Sequence, residues 1–522
     1  MKKSVQRLTF LIAVLFIIFS CVEKPPLVDV SMDERVLIPL PRKLTPNGET
    51  FVVYKNTTLY VTEDTDAYNT AAYLQSYLKD GMSLVLPIET QPINSDKPGI
   101  FIQINADIGE VVDEEGYTLS INQHQLILRA KSGAGLERGL QTIFQLLPDS
   151  LLENQLTPLT AIGIPGCEIE DYPEFAYRGA MLDVARHFFS VEDVKRYIDL
   201  IAAYKMNTLH LHLADDQGWR IEIKAWPKLT TIGGSTAVGG GSGGFYTQED
   251  YEELIAYAAE RYITIIPEID MPGHTNAALA SYPELNCDGV APDLYTGMKV
   301  GFSSLCVDKE LTYTFLDDVI GELAAMTPGE YIHIGGDESH ATPKEDYIKF
   351  LNKAQAIVRK HGKKVMGWED ISAASLQKGT IVQHWTKAET AIRGVEQGAK
   401  VVLSPAPKTY LDMKYDKASR IGLTWAGPTS VDSAYIWKPL EILKGVSKKD
   451  ILGIESPLWS ETAVTMDDIE YLAFPRIIGH AELGWSATKD LSWASYKKRM
   501  RLHRKRLDLK KVDYYVAAEL FD

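Results

Sequence analysis

Residues 331–340, YIHIGGDESH, place a pair of carboxylates directly after a short apolar strand. Neighbouring residues of a regular strand point to opposite faces, so Asp337 and Glu338 can reach one substrate only where the backbone leaves strand geometry. Gly335 and Gly336 would allow that departure. A like-charged neighbour and partial burial would raise the pKa of one carboxyl, as a general acid near neutral pH requires. Taken alone, an Asp-Glu pair after a strand is also typical of a solvated loop or a helix N-cap.

Predicted strands and helices alternate on both sides of this segment, through residues 170–490. The predicted strands are residues 180–184, 208–213, 263–269, 331–335, 364–367, 381–385, 401–403 and 451–456. Helical patterns separate most of them, at residues 191–204, 248–260, 343–360 and 466–483. This order predicts an α/β fold with a (β/α)8 TIM barrel as the catalytic domain. An open doubly wound sheet is the alternative, but no Gly-rich phosphate loop follows a strand, and residues 233–244 are interpreted as a flexible insertion.

A smaller domain precedes the barrel at residues 36–165. Period-two strands alternate there with two helical stretches, at residues 67–78 and 135–147, which predicts an α+β domain. The turn Asn122-Gln123-His124 indicates a hairpin, and from it we expect an antiparallel sheet. Residues 491–522 are assigned to a C-terminal helix and tail.

The amino terminus has the pattern of an export signal of the lipoprotein type. Basic residues precede an apolar run at residues 8–19, and Ser20 and Cys21 follow it. We expect Cys21 to carry the lipid, residues 1–21 to be the signal, and residues 22–35 to be a linker. The mature protein would then be exported and membrane-anchored, periplasmic or at the cell surface. Ordinary cleavage near Ser20, with an incidental cysteine, is the alternative.

Three further cysteines lie in the folded part of the chain. An oxidising compartment permits a disulfide, and Cys287 and Cys306 are the favoured pair because they flank one loop. Cys167 is interpreted as a buried apolar residue.

The carboxyl ends of the predicted barrel strands carry a set of polar and aromatic residues that should be read together, because barrel enzymes build their sites at that end. The polar members are Arg178, Asp183, Asp215, Asp216, Glu268, Asp270 and His274, besides the carboxylate pair. Four tryptophans near strand ends could form stacking faces for a sugar ring: Trp368, Trp385, Trp425 and Trp459. The aromatic set favours a catalytic role for Asp337 and Glu338.

Other functions are disfavoured by what the sequence lacks. His210 and His212 could belong to a metal-dependent hydrolase, but further ligands do not follow at later strand ends, so they are interpreted as structural histidines and no metal site is predicted. No serine lies in a nucleophile turn. The net charge of −16 is spread over 522 residues, and the basic run 497–506 is typical of a solvated helix face, so no nucleic-acid partner is predicted.

Several long motifs together resemble one family, glycoside hydrolase family 20, the β-N-acetylhexosaminidases. The matching segments are YRGAMLDVARHFF, NTLHLHLADDQGWRIEI, IPEIDMPGHTNAAL, YIHIGGDE, GWED, LTWAGPTS and PLWSE, in order between residues 177 and 485. The preceding domain resembles the family's usual N-terminal domain. The resemblance implies a retaining mechanism without a protein nucleophile, in which the substrate's acetamido oxygen attacks the anomeric carbon to form an oxazolinium.

The resemblance also implies roles for individual residues. Glu338 would act as acid and then base, Asp337 would orient the acetamido nitrogen, and Tyr410 would bind the acetamido oxygen. Asp215 and His274 would form a hydrogen-bonded relay behind Glu338. The implied substrate-binding residues are Arg178, Asp412 and Glu461 on sugar hydroxyls, Trp368, Trp385 and Trp459 around the acetamido group, and Trp425 on the next sugar. The family match also supports the Cys287–Cys306 disulfide.

The expected partners are glycans or glycoconjugates that end in N-acetylglucosamine or N-acetylgalactosamine, cleaved from the non-reducing end without a cofactor. Two alternatives stay open. An enzyme of the same fold could release a disaccharide, which needs a wider pocket rim, or a lipoprotein could bind glycans through its tryptophans without turnover.

Overall fold

The structure is a computed structural model that describes residues 25–32, 35–90, 96–104, 108, 109, 111, 113–153 and 158–521. The predicted signal segment and its Cys21 lie outside the described residues.

The first domain is built on a seven-stranded sheet with the order β1-β7-β5-β6-β4-β2-β3. Its strands are β1 (Lys43–Tyr54), β2 (Leu59–Val61), β3 (Ile88–Thr90), β4 (Gly99–Ile104), β5 (Tyr117–Ile121), β6 (Gln125–Ala130) and β7 (Ala161–Asp171). The predicted hairpin joins β5 and β6, which pair antiparallel. The expectation of a purely antiparallel sheet is wrong, because β6, β4, β2 and β3 pair parallel. A helix between β2 and β3 allows a parallel connection, which a tight turn cannot make. The sheet also reaches Asp171, past the predicted boundary at residue 165.

Two helices cover this sheet, α1 (Thr65–Met82) and α2 (Gly133–Leu146). Each begins at a polar cap: Asp64 accepts two backbone N–H groups of α1, and Ser132 accepts one of α2. Nearly every side chain of α2 is buried. One face of α2 packs on the sheet, and the other reaches the second domain, where Arg138 donates to the carbonyls of Arg261 and Tyr262.

The second domain is a closed barrel of eight parallel strands, so the barrel prediction is confirmed. The barrel strands are β8 (Tyr177–Asp183), β9 (Thr208–His212), β12 (Thr264–Glu268), β13 (Tyr331–His333), β14 (Lys364–Trp368), β15 (Ile381–His384), β16 (Lys400–Leu403) and β17 (Ile451–Leu458). A short hairpin after β9 adds β10 (Ala214–Asp215) and β11 (Gly218–Trp219). Most apolar residues of the strands and surrounding helices form one large core, and two smaller clusters that include strand residues are separate from it, one with Met181 and Trp368 and one with Ile266 and Met366.

The helices of this domain surround the barrel and close its ends. They are α3 (Val191–Ala202), α4 (Lys228–Thr231), α5 (Gln248–Ala259), α6 (Asn276–Ser281), α7 (Glu310–Met326), α8 (Lys344–Lys360), α9 (Ala388–Glu396), α10 (Ala406–Thr409), α11 (Val431–Tyr435), α12 (Met466–Ala473), α13 (Arg476–Trp485), α14 (Trp493–Leu509) and α15 (Ala518–Phe521). The predicted helix at residues 466–483 is two helices, because Pro475 has no N–H to continue the first. Among the described helices, none has the length and apolarity needed to cross a bilayer.

Buried ion pairs join the two domains at the amino-terminal end of the barrel. Glu115 of the first domain accepts hydrogen bonds from Arg138 and from Arg178 of β8, and both guanidinium side chains are fully buried. Nearby, Lys205 contacts Asp171 at 2.9 Å, again with both side chains buried. Buried charges of this kind are stable only with their partners. The first domain therefore forms part of the structure that closes the amino-terminal end of the barrel.

Candidate active site

A cavity of about 310 Å³ opens at the carboxyl end of the barrel strands. Its lining combines charged, aromatic and aliphatic side chains: Arg186, Met298, Val300, Asp337, Glu338, Trp385, Tyr410, Asp412, Leu423, Trp425, Trp459 and Glu461. A volume at the small end of the range for ligand sites suits one sugar ring rather than a chain of them.

The carboxylate pair occupies a backbone that has left strand geometry. β13 ends at His333, and Gly335 and Gly336 have φ angles of +60° and +100°. A Cβ on Gly335 would lie 1.8 Å from Oδ1 of Asp270, and the N–H of Gly336 donates to that same oxygen at 2.9 Å. Glu338 itself has a φ of +44°, which is unusual for a residue with a side chain. The glycine pair therefore turns both carboxylates into the cavity, as predicted.

A histidine joins both carboxylates to a buried aspartate. Nε2 of His274 lies 3.6 Å from Oε2 of Glu338 and 3.8 Å from Oδ2 of Asp337. Nδ1 of His274 faces Asp215 at 3.2 Å. Asp215 in turn contacts Arg186 at 2.7 Å and His212 at 3.1 Å. The structure thus brings together Asp215, His274 and Glu338 in the order that the sequence predicts.

Burial and charge set the ionisation of these groups. Burial opposes the imidazolium, but the carboxylates of Asp215 and Asp270 raise the pKa of His274 well above its usual range. Burial raises the pKa of Asp337, and the charges of Glu268 and Glu338 add to that rise while His274 opposes it. Burial also raises the pKa of Asp215, yet Arg186 and His274 hold it well below the usual range. Asp215 is therefore anionic and His274 cationic near neutral pH.

Three further charged residues line the cavity with the carboxylate pair: Arg186, Asp412 and Glu461. Both carboxylate oxygens of Asp412 and Oε2 of Glu461 are buried without a hydrogen-bond partner. Burial raises the pKa of Asp412, as does its neighbour Glu461. Buried acceptors without partners are costly, so this part of the lining is built to receive donors from a ligand, such as sugar hydroxyl groups.

The aromatic residues of the cavity lining are Trp385, Tyr410, Trp425 and Trp459. The ring of Tyr410 lies 5.7 Å from that of Trp425 and 6.3 Å from that of Trp459. Trp385 is fixed by a hydrogen bond from its indole to Asp370 at 3.0 Å. Trp425 is 54% exposed at the entrance, whereas Trp459 is 8% exposed at the base. These faces suit the apolar side of a sugar.

Two predicted substrate-binding residues do not line the cavity. Arg178 lies at the opposite end of the barrel, where its Nε and Nη1 donate to the carbonyls of Lys205 and Phe175 and its Nη2 to Glu115. Its assignment to sugar hydroxyls is wrong, because it begins β8 rather than ends it. Trp368 is 1% exposed beneath the cavity, where its indole donates to Glu268 and its ring packs 5.8 Å from that of Trp459.

The cavity also contains residues that the sequence reasoning missed. Arg186 follows β8 directly, in the quoted motif YRGAMLDVARHFF, and its place after a strand end was the available signal. Met298 and Val300 come from the loop that Cys287 and Cys306 close with a disulfide. Asp216 accepts a hydrogen bond from the Ser303 hydroxyl at 2.5 Å and connects that loop to the site.

The third cysteine of the folded part, Cys167 on β7 of the first domain, is free and buried.

Three buried clusters among the described residues have the composition of a metal site: His210, Glu268 and His333; Asp215, Asp216 and His274; and Asp270, His274 and Asp337. Their members already contact one another. Nδ1 of His210 bonds to Glu455 at 2.9 Å, and its Nε2 lies 2.9 Å from Glu268. Carboxylates of the fold itself face both nitrogens of His210 and of His212, which fits their interpretation as structural histidines.

Comparison with known proteins agrees with this geometry. Residues 175–488 match the family model "Glycosyl hydrolase family 20, catalytic domain", and residues 34–172 match "Glycosyl hydrolase family 20, domain 2". A beta-N-acetylhexosaminidase of Cellulomonas fimi is 39% identical over 90% of this chain and 94% of its own length. A beta-hexosaminidase of Porphyromonas gingivalis is 34% identical over 98% of this chain and 69% of its own.

Solved structures agree as well. The GH20 beta-N-acetylhexosaminidase of Streptomyces coelicolor A3(2) superposes with a TM-score of 0.89 at 45% identity, covering 95% of this chain and 99% of that one. A mutant Streptomyces plicatus beta-hexosaminidase in complex with its product GlcNAc gives the same TM-score, identity and coverage. The resemblance seen in the sequence is confirmed. The chain belongs to glycosyl hydrolase family 20, and its barrel is the catalytic domain of a glycoside hydrolase.

Proposed function

We propose that this protein removes terminal β-linked N-acetylhexosamine residues from the non-reducing ends of glycans, with retention of configuration and with the substrate's acetamido group as nucleophile. One observation carries the proposal. Asp337 and Glu338 converge on a single imidazole nitrogen, at 3.8 and 3.6 Å, inside a cavity of about 310 Å³. Retaining enzymes with a protein nucleophile place two carboxylates on opposite sides of the scissile bond. Two carboxylates that both face the imidazole of His274 instead favour supporting roles on one side of that bond, for Glu338 as the acid and for Asp337 beside the acetamido nitrogen.

The first step breaks the glycosidic bond. The acetamido carbonyl oxygen forms a bond to the anomeric carbon as Glu338 gives its proton to the leaving glycosidic oxygen. The product is an oxazolinium whose positive charge lies beside Asp337. That carboxylate is only 7% exposed, and in such surroundings a charge pair is stronger than in water.

The second step returns the protein to its starting state. Glu338, now ionised, takes a proton from water, and the oxygen of that water attacks the anomeric carbon. The bond to the acetamido oxygen breaks, so that the free sugar keeps the original configuration. The imidazolium of His274 beside Glu338 stabilises the carboxylate between the two steps.

Positioning of the acetamido group contributes much of the remaining rate enhancement. Tyr410 lines the cavity with the carboxylate pair, and its hydroxyl would donate to the acetamido oxygen and hold it in line for attack. Arg186, Asp412 and Glu461 would bind the hydroxyls of the same sugar. Since these three residues form the wall of a one-sugar cavity, cleavage at the end of a glycan is favoured over release of a disaccharide.

The test compares substrates that differ only in the acetamido group. We expect protein lacking residues 1–21 to release p-nitrophenol from the β-N-acetylglucosaminide and the β-N-acetylgalactosaminide, and to leave the plain β-glucoside intact, because the glucoside has no nucleophile. A chelator should leave the rate unchanged. Equal turnover of the glucoside would contradict substrate assistance. Cleavage of an aryl disaccharide alone would favour the disaccharide-releasing enzyme, and binding without any product would favour the glycan-binding lipoprotein.

We further propose that the protein is exported and held at a membrane through a lipid on Cys21. The support is the segment itself, with Lys2, Lys3 and Arg7 before the apolar run at residues 8–19. A disulfide between Cys287 and Cys306 fits an oxidising compartment.

Metabolic labelling with an alkyne-tagged fatty acid tests the anchor. We expect label on the full-length protein in the membrane fraction and its loss in Cys21→Ser. Cys167→Ala, which removes a buried cysteine of the first domain, should keep the label. Unchanged labelling of Cys21→Ser, or no labelling of the full chain, would contradict the anchor.

A further inference from the structure

A chain of buried polar side chains continues below the site, from Asp215 into the barrel interior. Nε2 of His212 lies 3.1 Å from Oδ2 of Asp215, and its Nδ1 lies 2.5 Å from Oε2 of Glu268. Both ring nitrogens of His212 therefore face carboxylates. An imidazole donates to two acceptors only when it carries two protons, so the shorter contacts to Asp215 and Glu268 favour cationic His212, although Nη1 of Arg186 also lies 3.4 Å from its Nε2.

Glu268 is the point where this chain meets the base of the pocket. Its side chain is fully buried at the end of β12. Oε1 accepts the indole N–H of Trp368 at 2.9 Å, and Trp368 packs beneath Trp459 of the cavity wall. Nδ1 of His333 lies 2.9 Å from the same oxygen. One carboxylate thus contacts both the relay behind Glu338 and the aromatic base of the cavity.

We propose that Glu268 is a positioning residue for the hydrolysis: it fixes the His212–Asp215–His274 relay that reaches Glu338 and, at the same time, the indole of Trp368 beneath the sugar. This role rests on the function proposed above. Glu268 is not among the residues that line the cavity, so it acts through the side chains that it orients and through its charge, which also raises the pKa of Asp337.

The charge of Glu268 matters to the relay as well as its shape. Burial opposes protonation of His212, but Glu268 and Asp215 raise its pKa well above the usual range. Other charged or titratable groups that face Glu268 or its immediate neighbour His212 are Asp183 at the end of β8, Arg186 after β8, His210 on β9, His333 on β13, Asp270 after β12, Asp337 after β13 and Glu455 on β17. Of these groups, His210 faces Glu268 through its Nε2 at 2.9 Å, whereas Nδ1 of His333 lies 2.9 Å from Glu268 but also accepts the Gly335 N–H at 3.1 Å; the contacts of these two histidines do not include Asp215. The link to the relay therefore passes through His212.

A neutral side chain in place of Glu268 should shift the pH profile of kcat/KM in a defined direction. A group whose folded pKa is raised stays protonated until the pH exceeds that pKa. Without the carboxylate, the pKa of His212 falls, and His212 loses its second proton at a lower pH. The charged hydrogen bond between His212 and Asp215 is then lost at a lower pH. We expect Glu268→Gln to move the alkaline limb of kcat/KM to lower pH by about one unit or more.

The experiment measures kcat, KM and the pH profile on the p-nitrophenyl β-N-acetylglucosaminide. Glu268→Gln should lower kcat/KM by about 10–100-fold at the optimum, the range for partners behind a functional group. Trp368→Phe keeps an aromatic ring but loses the indole donor, so it should raise KM and keep the wild-type alkaline limb. A purely structural role for Glu268 would lower the melting temperature without moving that limb.

The matched control is Glu455→Gln. Glu455 is also fully buried and accepts from His210, Tyr177 and Gln383, but it contacts no member of the relay. We expect the wild-type alkaline limb in this variant. An unshifted limb in folded Glu268→Gln, or an equal shift in Glu455→Gln, would overturn the proposal.

A second pair of variants covers the case in which Glu268→Gln does not fold. Glu268→Asp keeps the charge at shorter reach and should lower kcat by at least about 10-fold without moving the limb, whereas Glu455→Asp should keep kcat. Equal kcat losses in the two variants would overturn the role. Wild-type turnover separates the hypotheses: an inactive wild type contradicts the proposed function and this role with it, while an active wild type with an unshifted variant contradicts this role alone.

Discussion

Glu338→Gln will lower kcat on N-acetylglucosaminides with poor leaving groups by about 10²–10⁴-fold, because the leaving oxygen then departs without a proton. A dinitrophenyl glycoside should lose much less, since its leaving group is stable as an anion. The measurement is kcat across a series of aryl glycosides of falling leaving-group pKa. The dependence on leaving group should be steep in the variant and shallow in the wild type.

The control for this substitution is Glu441→Gln. It makes the same chemical change at an exposed carboxylate, paired with Lys438, far from the cavity lining. It should keep wild-type rates on every substrate. Equal losses in Glu338→Gln for good and poor leaving groups would exclude Glu338 as the acid of the first step.

Asp337→Ala should damage turnover of N-acetyl substrates about as severely as removal of Glu338. The nucleophile is the acetamido group, and without Asp337 nothing orients its nitrogen or stabilises the positive charge that develops there. We expect a loss of about 10²–10³-fold in kcat, the scale for one preorganised electrostatic partner. Asp337→Asn keeps the shape without the charge and should be nearly as impaired.

Added azide separates this role from that of a protein nucleophile. If Asp337 attacked the anomeric carbon itself, a small anion could occupy the space vacated in Asp337→Ala and restore turnover with inverted product. We expect no such rescue, because the acetamido oxygen already fills the nucleophile's position. Near-normal turnover of Asp337→Ala, or an inverted glycosyl azide, would contradict substrate assistance.

The sequence predicted the barrel and most of the candidate site because both depend on local patterns. The ends of strands can be located from short apolar runs, and barrel enzymes place their catalytic residues at the carboxyl ends of those strands. This rule found Asp215, His274, Asp337 and Glu338, which the structure brings together. Applied more strictly, it would also have chosen Arg186 after β8 over Arg178 near its start. Both the grouping of strand-end residues and the resemblance point to Arg178, whereas the direction of β8 favours Arg186.

Other features depend on contacts that no local pattern contains. Trp368 ends a strand, as an active-site residue of a barrel would, yet its indole donates to Glu268, which is distant in sequence. Met298 and Val300 reach the cavity only because a long loop folds back over it. The mixed sheet of the first domain depends on which strands pair across helical connections, and the single hairpin turn determines only one of those pairs.

The ion pairs around Glu115 bear on how the enzyme could be shortened or recombined. A barrel excised after residue 172 would retain Arg178 and Lys205, which are buried charges, without Glu115 and Asp171 to neutralise them. The cut would also remove the acceptor of the Trp485 indole, which bonds to Asp171 at 3.0 Å. The smallest portable catalytic unit is therefore both domains together. Chimeras that exchange the first domain must carry over the acidic partners of those cations.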